Sequence, residues 1–216
     1  LWPGADLALA RAAAAAGVPF CQSTVSNALV SDIAAVPGLR HWMQLYLYTP
    51  DATWEALIER ARAARCEALL VTVDTPVLGN REWDRRNYGA PMQLSLASKL
   101  EILRHPGWLA QILRNGFPRF LNLEEFVPEK DRTLFATGRW AVANAATDLD
   151  WRKLADIRRA WPGKLLIKGV QHADDVRLAL KAEVDGLVLS NHGGRQLDRV
   201  GAPLDLIAEA RAIAGR

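Results

Sequence analysis

The residues with the strongest chemical potential cluster at the ends of apolar runs. Leu187-Val-Leu-Ser-Asn-His-Gly-Gly-Arg-Gln-Leu-Asp198 joins an aliphatic stretch directly to a histidine, two glycines and an arginine. Imidazole exchanges a proton near neutral pH, and Gly193-Gly194 lets the backbone turn at once, so His192 is placed to act as a base. Asp74 closes another apolar run, Ala68 to Thr75. A carboxylate at that height can hold a neighbouring histidine in one tautomer and stabilise its cation; a turn or helix cap is the plainer use. Lys168 lies inside Leu165-Leu-Ile-Lys-Gly-Val170, where an ammonium needs a carboxylate or a ligand. Arg81 and Arg195 offer two guanidinium forks that suit a substrate carboxylate. Gln44 and Tyr46 share one strand face, with Ser23 and Thr72 as small polar groups at comparable heights.

These residues need a scaffold that brings strand ends together. Alternation and helix signals predict helices over residues 6–16, 27–35, 51–65, 150–160, 174–182 and 203–213. Strands fall between them at residues 18–23, 41–48, 68–75, 164–170 and 184–191, the last expected to be buried on both faces. Strict alternation implies parallel strands with right-handed crossovers, an α/β fold of the (β/α) barrel type, with ligands at the carboxyl ends of the strands. The whole chain, 1–216, reads as a single partial barrel domain. Residues 77–147 break the pattern as a long inserted βα-loop, a candidate functional element. A complete barrel typically takes about 250 residues. With Leu1 first and a helix running out at Gly215-Arg216, the chain reads as an internal piece of a longer protein.

The net charge of +3 is small and dispersed, which gives no footprint for nucleic acid. Cys21 and Cys66 lack metal-ligand spacing and cannot form a disulfide framework, so no metal is expected and a reducing compartment fits. No apolar run reaches about eighteen residues. Residues 94–120 differ from the rest of the chain. Leu96, Leu100, Ile102, Leu103, Trp108, Leu109, Ile112, Leu113 and Phe117 are set among Lys99, Arg104, Arg114 and Arg119, with Glu101 the only acid. That composition suits a membrane interface, and a lid helix packed on the barrel is the alternative.

With these motifs assembled, the chain resembles the FMN-dependent 2-hydroxy acid dehydrogenase and oxidase family, nearest its bacterial mandelate and L-lactate dehydrogenase branch. Gln44-Leu-Tyr46, Thr72-Val-Asp74-Thr-Pro, Gly79-Asn-Arg81-Glu, Lys168-Gly169 and Ser190 to Asp198 carry the likeness, in the family's order. Leu1-Trp-Pro-Gly-Ala-Asp, Ser23-Thr-Val-Ser-Asn and Trp161-Pro-Gly-Lys point to the bacterial branch. The resemblance implies a (β/α)8 TIM barrel of the FMN-linked type, of which this chain carries about strands two to six. It implies FMN as cofactor and a small 2-hydroxy acid as substrate, oxidised to the 2-keto acid, with quinone or oxygen as electron acceptor. It assigns His192 as base with Asp74 orienting it, Arg81 and Arg195 to the substrate carboxylate, and Tyr46 to the substrate. Ser23, Gln44, Thr72 and Lys168 would face the flavin, and Ser190 would lie near its ribityl chain. Val25 replaces a bulky tryptophan of the glycolate-oxidising members, leaving room for an aryl or branched substrate. Loop 94–120 would attach a cytoplasmic tetramer peripherally to the inner membrane face. The strands carrying the family's phosphate grip are missing from the sequence, so this piece is expected to fold as an open barrel and to bind FMN weakly. Two other readings remain open: another FMN barrel enzyme, such as an isoprenoid diphosphate isomerase, and an inactive fragment.

Overall fold

The structure, a computed structural model, describes residues 4–77, 79, 81–90 and 93–215. Leu1, Trp2 and Pro3 of the amino-terminal likeness and Asn80 of the Gly79 motif lie outside the described residues. In chain order the elements are α1 (Ala5–Ala16), β1 (Pro19–Gln22), α2 (Val30–Ala34), β2 (Arg40–Leu45), α3 (Ala52–Ala63), β3 (Ala68–Thr72), α4 (Glu82–Asn87), β4 (Tyr88–Ala90), β5 (Gln93–Leu94), α5 (Leu96–Leu103), α6 (Pro106–Asn115), α7 (Leu134–Ala143), α8 (Trp151–Ala160), β6 (Lys164–Val170), α9 (Ala173–Lys181), β7 (Gly186–Leu189) and α10 (Pro203–Ala214). Five strands form one parallel sheet in the order β1-β2-β3-β6-β7, while β4 and β5 pair antiparallel apart from it.

The expected strands and helices form, most with ends shifted by one to three residues. The helix expected from residue 27 begins at Val30 because Asn27 is committed elsewhere. Its N–H donates to Asp6 Oδ2 (3.1 Å), and its side-chain oxygen accepts from Arg119 N (2.6 Å).

Register gives the sheet two faces of different character. Met43, Leu45, Leu69, Val71, Leu165 and Ile167 are buried in one cluster with Leu57, Ile58 and Ala61 of α3, Leu154 and Ile157 of α8, and Val176 and Ala179 of α9. Each fully buried leucine or isoleucine stabilises the fold by about 1.5–3 kcal/mol. The alternate residues face the other way: Gln44, Leu70, Thr72, Leu166, Lys168 and Val188. β3 is buried at every residue, as a central strand should be. β7 departs from expectation: all four of its residues are only half-buried, because it is an edge of the sheet with a neighbour on one side.

The inserted stretch divides into two parts. Its return leg joins the core: Leu123 and Val127 are buried, and Tyr48 bridges to Ala145 in an antiparallel pair. The side chain of buried Asn122 takes Val30 N–H (3.1 Å) and donates to Ala28 O (3.0 Å), while Arg60 pairs with Glu125. The helical pair α5–α6 behaves differently. Leu96, Leu100, Leu103, Leu113 and Phe117 are exposed, Leu96 and Leu113 at 74% each. Ile112, grouped by the sequence with the outward apolar residues, instead points inward and is buried. Arg119 and Arg104 are likewise engaged, with Glu124 and Glu101. Among the described residues no helix is long and apolar enough to cross a membrane.

Candidate active site

The candidate site forms where β3 and β7 end. His192 Nδ1 lies 2.8 Å from Asp74 Oδ1, across 118 residues of sequence. A carboxylate oxygen accepts, so Nδ1 carries the hydrogen and Nε2 presents its lone pair outward. Tyr46 Oη stands 3.4 Å from that Nε2. The Asp74 side chain is wholly buried, and its Oδ2 has Lys168 Nζ at 4.0 Å but no hydrogen-bond partner among the described residues.

Local backbone explains how these groups arrive. Gly193 and Gly194 take φ of 67° and 68°, as their motif anticipates, but His192 itself also sits at φ 57°. A non-glycine residue there is uncommon, and the turn holds it: Asn191 Oδ1 accepts from Gly193 and Gly194 N–H, and Ser190 Oγ from His192 N–H (3.1 Å). β6 carries an irregularity between Lys168 and Val170, and Gly169 there has φ 110°. A Cβ on Gly169 would fall 2.6 Å from both Cβ and Cγ of Asp74, so only glycine admits the carboxylate at this place.

A second polar row runs across four adjacent strands. Ser23 Oγ donates to Gln44 Oε1 (3.2 Å), and Gln44 Nε2 donates to Thr72 Oγ1 (2.8 Å). Thr72 is in register with Lys168 on β6. Sequence reasoning overlooked Thr24, whose hydroxyl donates to Gln44 O (2.6 Å) and accepts from Tyr46 N–H (3.1 Å), fixing the backbone where β2 ends. A threonine in a turn carries no sequence mark of that role. Gln44 retains a second amide hydrogen, and the Lys168 ammonium keeps a 26% exposed side chain, so this row offers donors to a flat, electron-poor ring with carbonyl groups. Ser23, Gln44, Thr72 and Lys168 therefore fit FMN in chemistry and placement. Ser190 Oγ accepts from His192 N–H within the turn and keeps its own O–H to donate.

Electrostatics link the arginine loops to the same mouth. The Tyr46 phenol is pushed above its ordinary value by burial and by the Asp74 carboxylate, against the opposing field of Arg81. Arg81 and Arg195 are both exposed. Their loops touch: Gly79 N–H donates to Gln196 Oε1 (3.2 Å). The structure thus gathers His192, Asp74, Tyr46 and Lys168 directly and draws the two arginine loops to one side of them. A proton acceptor oriented by a buried carboxylate, beside a cationic rim, can deprotonate an anionic substrate.

Comparison with known proteins shows the family of the chain. The family model described as FMN-dependent dehydrogenase matches residues 1–216. The chain is similar to (S)-mandelate dehydrogenase of Pseudomonas putida, 36% identical over 217 residues, covering 100% of this chain and 54% of that protein. It is 35% identical over 195 residues to an L-lactate dehydrogenase of Pectobacterium atrosepticum, covering 90% of this chain and 50% of that protein. Among solved structures it superimposes on the monotopic membrane protein (S)-mandelate dehydrogenase with a TM-score of 0.90 and 35% identity, covering 100% of this chain and 57% of that one. The chain spans about half the length of the curated relatives it matches.

Proposed function

Because this chain belongs to the FMN-dependent dehydrogenase family, we propose that it contributes the catalytic half of a site that oxidises an L-2-hydroxy acid to the 2-keto acid. The observation that carries this reading is the His192–Asp74 pair at 2.8 Å with Tyr46 beside the free imidazole nitrogen. FMN, when bound, would supply the acceptor for the two electrons and for one of the two protons that leave the substrate, the other proton going to His192.

The chain's own residues do the rest. His192 Nε2 takes a proton from the substrate, and Asp74 Oδ1 holds Nδ1–H while offsetting the charge gained by the ring. Tyr46 hydrogen-bonds the substrate beside Nε2. Arg81 and Arg195 bind its carboxylate, the bidentate geometry fixing which hydrogen faces the base. Lys168, at the height of Thr72, supplies positive charge beside the cofactor ring, held by Ser23, Gln44 and Thr72, with Ser190 near the ribityl chain. Mandelate-like and lactate substrates fit best, since both are named for the relatives. Val25, where the glycolate-oxidising members carry a bulky tryptophan, is the residue that would admit an aryl group.

The exposed apolar side chains of α5–α6 support peripheral attachment to a membrane, which makes a membrane quinone the fitting electron acceptor. The decisive experiment is anaerobic: the FMN-loaded full-length protein should bleach with (S)-mandelate or L-lactate. His192→Ala should stay yellow in their presence, and bleaching of that variant at the wild-type rate removes His192 from the base role.

A further inference from the structure

Gly79 and Gln196 belong to the two arginine-bearing motifs, yet neither has a part in the chemistry above. Their contact is close. Gly79 N–H donates to Gln196 Oε1 at 3.2 Å, and a Cβ at Gly79 would fall 1.7 Å from the Arg195 carbonyl oxygen and 2.8 Å from its carbon. No side chain of any kind fits there. The contact joins loops that spring from β3 and β7, which are not neighbours, since β6 lies between them in the sheet. Gly79 stands two residues before Arg81, and Gln196 directly follows Arg195.

We propose that the Gly79–Gln196 contact is a latch that sets the spacing of the Arg81 and Arg195 guanidinium groups, making Gln196 a positioning residue for the substrate carboxylate. This rests on the reading that those arginines bind that carboxylate. Both arginines are exposed, on loops whose freedom would otherwise be lost at each binding event. Two forks clasp one planar carboxylate only when their separation is held to within about 0.5 Å. A hydrogen bond and a backbone contact between the loops hold that separation before substrate arrives. The carboxylate is gripped alike in the ground and transition states, so loosening the latch acts on KM rather than on kcat.

Gln196→Met keeps the length of the side chain and removes the acceptor. In the FMN-loaded full-length protein it should raise KM for (S)-mandelate by about three- to tenfold, the worth of one neutral hydrogen bond, and leave kcat within about twofold. The dissociation constant of phenylacetate, which has the carboxylate but no hydroxyl to oxidise, should rise by the same factor when read from the flavin absorption spectrum. In an Arg81→Ala background Gln196→Met should add nothing. Gln196→Ala, which demands no space, is read in the same way if the methionine variant fails to fold. An unchanged KM and phenylacetate affinity, a fall confined to kcat, or a full further loss in the Arg81→Ala background overturns the latch. A wild-type holoprotein that neither bleaches with a 2-hydroxy acid nor binds phenylacetate overturns the parent reading and the latch with it. A wild type that does both while the variant matches it overturns the latch alone.

Discussion

Gly169→Ala tests the proposed base without touching either member of the pair. The new Cβ would sit 2.6 Å from Asp74 Cβ and Cγ and 2.8 Å from its backbone nitrogen, whereas ordinary contact begins at 3.4 Å. Opening 2.6 Å to 3.4 Å moves the carboxylate by roughly 0.8 Å, because the backbone on both sides is held in the sheet: Val73 N–H donates to Lys168 O at 2.8 Å. The 2.8 Å bond from His192 Nδ1–H to Asp74 Oδ1 then stretches to about 3.6 Å, beyond hydrogen-bonding distance. A hydrogen bond to a charged group contributes roughly 1.5–3 kcal/mol, which corresponds to about a 10- to 100-fold loss in the rate of flavin bleaching. Alanine at φ 110° adds backbone strain of about 1–3 kcal/mol, so the thermal midpoint should fall as well. The assay is anaerobic stopped-flow reduction by (S)-mandelate on protein that retains its yellow flavin. Because the alanine acts through Asp74, its effect on rate should largely vanish in an Asp74→Asn background. Wild-type bleaching by Gly169→Ala, or a loss that multiplies undiminished with that of Asp74→Asn, refutes the idea that Gly169 seats the carboxylate.

Two further outcomes follow from other parts of the molecule. His41 is buried, its Nε2 3.0 Å from Gln22 Oε1 and its Nδ1 3.5 Å from Cys66 Sγ, and burial lowers its pKa from 6.5 to about 4. The unfolded chain binds a proton here between those values that the folded chain refuses, so stability is intact above pH 6.5 and declines toward pH 4, by on the order of 2–3 kcal/mol. Urea denaturation across that range should show the decline, His41→Gln should flatten it, and equal slopes would dismiss the burial argument. On the inserted segment, replacing Leu96, Leu100, Leu103 and Phe117 together by serine should cut co-sedimentation with anionic lipid vesicles by about tenfold or more. The flavin spectrum should be unchanged, and a variant that pellets as before would disprove attachment through this face.

Much of the architecture is legible in local sequence. Period-two apolar runs and amphipathic stretches mark each strand and helix of the sheet, since side-chain alternation is dictated by neighbours in the chain. The glycine pair after His192 announces its turn, and a lysine inside an apolar strand announces a partner. The insertion was less readable. Leu123 and Val127 are core residues, and Ile112 is buried while its neighbour Leu113 is exposed. In a segment without sustained periodicity, composition does not reveal which apolar side chains meet the barrel and which meet solvent.

By itself the sequence determined the kinds of group available and their height on each strand, because those depend on residue type and on the two-residue repeat of the backbone. The tertiary structure alone decided which of them meet. It set Asp74 against His192 across 118 residues, leaned that carboxylate on the bare Cα of Gly169, and drew Gly79 onto Arg195 over an intervening strand. Such contacts depend on sheet order and register, which arise from burying one face of every strand under the same layer of helices and have no counterpart in the spacing along the chain.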